Sequence, residues 1–232
     1  MRGEISSGRH SKRHPYDWYV EQGWETWQLF QALGGFAQEL DTGEIIWDPA
    51  AGFGHVAGPF VEAGFDVWLS DIVNRVAWAD FEHMADYLRP QFFSADFLER
   101  ERTPMQRPCS IVCNPPYSYI KGIAEAFARQ ALWLATRRVC MLVPNKWLAS
   151  KGRFRLFMVD YPPLAVLHLC ERPSMPPGDM IEAMAGRAYR GGMIDYCWVV
   201  WDKTRPTASG FTRTIWLPAL SAGHIAPIEG VA

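Results

Sequence analysis

Residues 114–117 of this chain read Asn-Pro-Pro-Tyr and directly follow a short apolar run, Ser110 to Cys113. A strand that ends in a carboxamide, two prolines and an aromatic ring has the composition of an active-site edge. The prolines forbid continued strand hydrogen bonding and stiffen the turn, so Asn114, Pro115, Pro116 and Tyr117 form one fixed cluster. Two acceptors, Asn114 Oδ1 and the Pro115 carbonyl, can each take one hydrogen of an exocyclic amine while the Tyr117 ring stacks on the heterocycle. An aromatic amine is a poor nucleophile because its lone pair is delocalised. Holding both hydrogens encourages the nitrogen toward a tetrahedral shape, so the chemistry rests on positioning and fixed dipoles more than on a strong base.

A second constellation lies upstream. Asp48-Pro49-Ala50-Ala51-Gly52-Phe53-Gly54 follows a strand-like run and precedes a helical one. Gly52 and Gly54 let the backbone turn sharply and approach a ligand, and the start of a helix offers unpaired N–H groups. The spacing is not GxGxxG and lacks the Gly-Lys-Ser/Thr of a P-loop, which argues against nicotinamide dinucleotides and nucleoside triphosphates. Asp71 stands nineteen residues beyond Gly52, at the end of the next strand-like run, where an acid can bond a ribose diol. A glycine loop with such an acid fits a nucleoside cofactor; taken alone, the loop also fits a plain strand–turn–helix connection.

The elements that must position these residues alternate. The pattern predicts a helix through Trp24–Leu33 broken by Gly34-Gly35, strands at Ile45–Trp47, Val67–Leu69, Phe92-Phe93, Ile111–Cys113, Val139–Val143 and Val166–Leu169, and a strongly β-prone run at Tyr196–Trp201. Helical runs at Val56–Ala63 and Ile123–Ala135, and another ending at Phe154–Val159, lie between them. Strands alternating with helices imply a mostly parallel sheet covered on both faces.

From Tyr16 to Lys203 the chain resembles the class I S-adenosylmethionine-dependent methyltransferases, and among these the small adenine-N6 DNA methyltransferases of phage and prophage type. The likeness rests on the segment Tyr16-Asp17-Trp18-Tyr19-Val20-Glu21, the Asp48–Gly54 loop, Asp71, Ser94-Ala95-Asp96-Phe97 and Asn114–Tyr117. It implies an α/β Rossmann-like sandwich with a seven-stranded, mostly parallel sheet, Tyr196–Trp201 being an antiparallel last strand inserted beside the fifth. It implies S-adenosylmethionine as cofactor, held by Tyr19, Asp48, Pro49, Ala50, Gly52, Gly54, Asp71, Ile72, Asp96 and Phe97. Asp71 would bind the ribose hydroxyls and Asp96 the adenine amine, with Phe97 against the ring. Asn114, Pro115, Pro116 and Tyr117 would receive a flipped adenine from double-stranded DNA. The departures are Gln22, where a proline is usual, and Phe53, where a smaller residue is common. Similar tetrapeptides serve RNA-adenine, cytosine-N4 and protein-glutamine methyltransferases, and a catalytically silent cofactor- or DNA-binding scaffold is a further alternative.

Composition bounds the rest. With 23 basic and 25 acidic residues, net charge does not announce a nucleic-acid binder, so any phosphate contact must come from local charge. Between Ala126 and Val159 there are seven basic residues (Arg129, Arg137, Arg138, Lys146, Lys151, Arg153 and Arg155) and no acid. Of these, Lys146, Lys151 and Arg153 join Arg172 as candidate nucleic-acid contacts, the alternative being a solvated helix face. The Pro-, Gly- and Met-rich stretch Glu171–Gly192 is long enough to suggest a target-contacting loop, with a plain connector as the alternative. His55, beside the cofactor loop, is expected to cap a helix start. Five cysteines, mostly in apolar runs, predict buried thiols in a reducing compartment and no metal site. A cytoplasmic monomer or weak homodimer is expected, with no membrane association. Its parts would be a basic arm over 1–15, a methyltransferase domain over 16–203 and a loosely structured tail over 204–232.

Overall fold

The computed structural model describes residues 18–101, 105–117, 120–184 and 187–232; the basic arm lies outside them. Eight strands form one sheet: β1 (Ile45–Asp48), β2 (Val67–Asp71), β3 (Gln91–Ser94), β4 (Cys109–Cys113), β5 (Arg138–Pro144), β6 (Ala165–Leu169), β7 (Tyr196–Asp202) and β8 (Arg213–Leu217). Their order is β3-β2-β1-β4-β5-β7-β6-β8. Every pairing is parallel except those of β7, which runs antiparallel between β5 and β6. The expected sandwich with an antiparallel strand beside the fifth is therefore present. The count of seven is corrected to eight, because β8, within the stretch expected to be loose, pairs in parallel with β6 from Ala165↔Arg213 to Leu169↔Leu217.

Side-chain alternation explains why the central strands read as unbroken apolar runs. Ile46, Val112, Cys140, Leu142, Trp198 and Val200 face one core, with Leu29, Phe36 and Phe60. Trp47, Ile111, Cys113, Met141, Val143 and Val199 face the other, with Phe127, Ala128 and Ala131. Helix α1 (Trp24–Ala32) and the short helices α2 (Ala37–Asp41) and α3 (Gly58–Glu62) belong to the first layer. Helix α4 (Ile123–Leu134) covers the second face, burying Ile123, Ala124, Phe127, Ala128 and Ala131 at helical spacing. After α4 come the short helices α5 (Lys151–Arg155) and α6 (Ile181–Met184). Among the described residues, no helix is long and apolar enough to cross a membrane.

The chain builds β1, β2 and β3 outward in one direction, then returns to place β4 and β5 on the other side of β1. This reversal opens a crevice at the carboxyl ends of β1 and β4, where open α/β sheets receive ligands. Asp48, Asp71, Ala95 and Asn114 all stand at or just beyond strand ends on that rim.

At the opposite end of β5, Arg138 is only 2% exposed. Its Nε lies 3.3 Å from Glu39 Oε1 and 3.7 Å from Asp202 Oδ2, and the guanidinium rests over Phe36. Burial pushes the Glu39 carboxyl above its ordinary range and the facing Arg138 pulls it part-way back. Cys170 departs from the expected pattern: it is exposed, whereas Cys109, Cys113, Cys140 and Cys197 are buried. It sits just past the end of β6, where inward packing stops.

Removing one member of the buried charge group should be costly. Arg138→Met takes the buried cation away from Glu39, while Asp202 keeps its pair with Arg205, and should lower stability by about 3–5 kcal/mol, measured by urea unfolding. The double variant Arg138→Met/Glu39→Leu should recover part of that loss.

Candidate active site

The crevice is lined by Trp18, Tyr19, Val20, Glu21, Pro49, Ala50, Gly52, Phe53, Asp71, Ile72, Arg75, Ala95, Asp96, Phe97, Asn114, Pro116 and Phe127. The structure thus gathers Tyr19, Pro49, Ala50, Gly52, Asp71, Ile72, Asp96, Phe97, Asn114 and Pro116 around one space. Asp48 and Gly54 stand behind it. Asp48 is 1% exposed, with Oδ1 accepting the Ala50 N–H at 3.0 Å, and burial holds its carboxyl well above the ordinary range. Gly54 holds a left-handed backbone at φ +90°, which a side chain would strain, and it packs against Val76, Phe81 and Leu69.

Asp71 braces this loop, its Oδ2 accepting the Gly52 N–H at 3.0 Å. Arg75 lies 3.9 Å from the other carboxylate oxygen. Asp96 projects from the turn after β3, where Oδ1 accepts the Leu98 N–H at 2.9 Å. Phe97 is buried between Trp47 and Phe127 at centroid separations of 5.3 and 5.0 Å. The loop residue Phe53 meets the edge of Trp18 at 5.3 Å, so its bulk contributes an aromatic wall to the crevice.

Trp18, Val20, Glu21 and Ala95 lie in segments that carry the resemblance but were not named there as site residues, whereas Arg75 and Phe127 belong to no such segment. Trp18 lies under the Arg75 guanidinium, 4.4 Å from its ring centroid. A Cβ on Gly178 would collide with the same indole. That contact belongs to a short ladder: Val20 N donates to the Pro176 carbonyl at 3.0 Å, Gly178 N donates to the Trp18 carbonyl at 3.1 Å, and Tyr19 bridges Pro177. The long loop expected to contact a target is therefore fastened to the crevice wall. His55 has a different role from the expected helix cap. Its Nδ1 donates to the Glu21 carbonyl at 2.7 Å, and because a carbonyl only accepts, Nδ1 carries the proton.

Asn114 is 9% exposed. Its Nδ2 donates to Glu21 Oε2 at 2.7 Å and to the Tyr19 carbonyl at 3.3 Å. The Tyr117 hydroxyl donates to Asn114 Oδ1 and also lies 3.2 Å from the Leu142 carbonyl. Tyr117 turns toward a second cavity, lined also by Tyr19, Pro144, Lys146, Trp147, Ser150, Arg153, Met175, Ile194 and Tyr196. Tyr117 and Tyr196 face each other there with ring centroids 6.0 Å apart. Asn114 and Pro116 thus line one space, Tyr117 the next, and Tyr19 both.

The basic run is largely neutralised by acids that lie outside it in sequence. Arg129 pairs with Glu125 and Asp160, Arg137 with Glu44, Arg153 with Glu125 and Arg155 with Asp160. Arg153 also stacks on Trp147 at 4.2 Å, and Arg172 pairs with Asp195 at 2.6 Å. Lys146 and Lys151 are exposed, Lys146 at the second cavity.

Comparison with solved structures places this architecture. The chain superposes on a candidate RNA methyltransferase from Pyrococcus horikoshii with TM-score 0.56 and 14% identity, over 85% of this chain and 92% of that one. Its likeness to magnesium protoporphyrin IX methyltransferase from Synechocystis with bound SAH has TM-score 0.51 and 16% identity, covering 78% and 83%. The structure of a DrdV–DNA complex matches with TM-score 0.56 and 14% identity, over 87% of this chain and 28% of that one. The chain has a methyltransferase fold. No family model and no curated protein matches its sequence.

Glu25, in the first turn of α1, is fully buried and its carboxylate accepts the Gln22 N–H at 3.2 and 3.3 Å. Burial, with a smaller contribution from Glu21 and against opposing backbone N–H groups, pushes its pKa up to about 8. The folded protein therefore keeps this proton longer than the unfolded chain. Its contribution to stability is full below the ordinary value of 4.5 and is lost as pH rises through about 8. The urea midpoint should fall across that interval, and Glu25→Gln should flatten the profile and be the more stable protein above it, by about 1–3 kcal/mol.

Proposed function

We propose that this protein transfers a methyl group from S-adenosylmethionine to an exocyclic amine of a nucleobase, with N6 of adenine in DNA as the preferred target. The observation that carries the reading is the position of Asn114–Tyr117 between two spaces, one with the residues of a nucleoside site and the other walled by aromatic rings. The fit of the first space to the cofactor rests on its own residues. A carboxylate at the end of β2, a glycine loop after β1, and Asp96 beside the buried ring of Phe97 suit a ribose, a methionine moiety and an adenine respectively. The methyltransferase from Synechocystis, seen with SAH, supports the same assignment by likeness of fold.

When bound, the cofactor supplies a methyl group on a sulfonium, whose C–S bond breaks as the new N–C bond forms. The protein's part is to hold the amine. Asn114 Oδ1 has two lone pairs and Tyr117 occupies one, which leaves the other for an amine hydrogen; the Pro115 carbonyl takes the second hydrogen. Held so, the nitrogen directs its lone pair at the methyl carbon, and the surplus proton leaves to solvent after transfer. Tyr117, Tyr196 and Trp147 provide aromatic surface for a base brought out of its stack. Lys146 and Lys151 are the cations we assign to phosphate, because Arg153 and Arg172 already hold carboxylates. Among the neighbours, the DrdV–DNA complex favours DNA and the Pyrococcus protein keeps RNA as the second substrate.

The test is transfer of labelled methyl from S-adenosylmethionine to unmethylated DNA and to RNA, with nucleoside analysis of the digest. N6-methyladenine in DNA is expected; N4-methylcytosine would keep the mechanism and change the base, and label in neither polymer would refute the reading. Asn114→Ala should cut turnover by about 100-fold or more while leaving cofactor affinity within about threefold. Asp71→Ala should first weaken cofactor binding, by about tenfold or more in calorimetry, with a smaller fall in maximal rate.

A further inference from the structure

The Asn114 carboxamide can present either of two faces to a substrate. With oxygen outward it accepts hydrogen bonds and suits an amine; turned by half a rotation it donates, and suits a ring carbonyl. Its observed orientation is dictated by its partners. On the nitrogen side stand the Glu21 carboxylate at 2.7 Å and the Tyr19 carbonyl at 3.3 Å, and as both accept, only the NH2 group can face them. Two partners use both N–H hydrogens, so the group has no donor left to offer.

Glu21 is well placed to enforce this. It is 5% exposed and lines the crevice. Its backbone is held through its carbonyl by His55, and the preceding residue by Pro176. A buried carboxylate accepts more strongly than a neutral oxygen, and flipping the carboxamide would set two oxygens against each other.

We propose that Glu21 is a positioning residue that determines substrate class: it locks Asn114 oxygen-outward, so that the site admits bases bearing an amine and rejects those bearing a carbonyl at the same position. This rests on the amine-methylation reading above. Glu21 acts through Asn114 and does not itself accept the substrate's proton.

The test uses the full chain with S-adenosylmethionine and DNA under single-turnover conditions. Glu21→Leu should slow transfer by about 30-fold or more while S-adenosylhomocysteine affinity stays within about threefold. Glu21→Gln should lose less than about fivefold, because its amide oxygen can replace the carboxylate as acceptor. Asn114→Asp alone sets two buried acids against each other. Adding Glu21→Gln restores a hydrogen bond of reversed polarity and should raise the rate at least about tenfold over Asn114→Asp. A Glu21→Leu rate within threefold of wild type, or a double variant no faster than Asn114→Asp, would overturn the proposal.

A second readout separates this inference from the function on which it rests. The Asn114 side-chain NH2 resonances, identified by their loss in Asn114→Asp, should shift and exchange faster in Glu21→Leu and remain in place in Glu21→Gln. If the wild type methylates neither DNA nor RNA, the methylation reading fails. Unchanged Asn114 resonances in Glu21→Leu would show that Glu21 does not hold the amide, whatever the reaction.

Discussion

A parallel strand cannot continue through two consecutive prolines, and much of the site depends on this. β4 has neighbours on both sides, β1 and β5, each demanding ladder hydrogen bonds. Pro115 and Pro116 have no N–H to give, so the ladder stops at Cys113 and Asn114 is left at the rim with its side chain unclaimed by the sheet. Because β1 and β4 flank the point where strand order reverses, that rim is also where the crevice opens. One local covalent fact thereby places an amide beside the glycine loop.

The second requirement is that the crevice have a wall on its far side. Residues 18–20 supply it, and they are held there by a two-bond ladder to residues 176–178 and by the bond from His55 to the Glu21 carbonyl. Glycine at 178 leaves the space that the Trp18 indole occupies against that loop. The crevice and the loop thus share a contact, and a disturbance of either reaches Tyr19, which lines both cavities. Burial of Glu21, Glu25 and Asp48 near this junction is the energetic cost of concentrating polar groups at a packed site.

Charge shows how sequence proximity misleads. The run from Ala126 to Val159 contains no acid, yet most of its cations are balanced by Glu39, Glu44, Glu125, Asp160 and Asp202. Arg138 is a core residue, and Arg153 stiffens the wall of the second cavity through Trp147. Of the run, Lys146 and Lys151 stay exposed, Lys146 at the rim of the aromatic cavity.

By itself the sequence determined the alternation of strands and helices, the two-faced burial of β4, β5 and β7, and the placing of Asp48, Asp71 and Asn114 at strand ends. These follow from apolar period, proline and glycine, which act within a few residues. The tertiary structure alone decided which distant groups meet. Glu21 and Asn114 are 93 residues apart, Phe127 reads locally as an ordinary core position of α4, and β8 becomes a strand because β6 offers it a ladder. Such contacts depend on which elements lie side by side, and a local pattern carries no record of its neighbour across the fold.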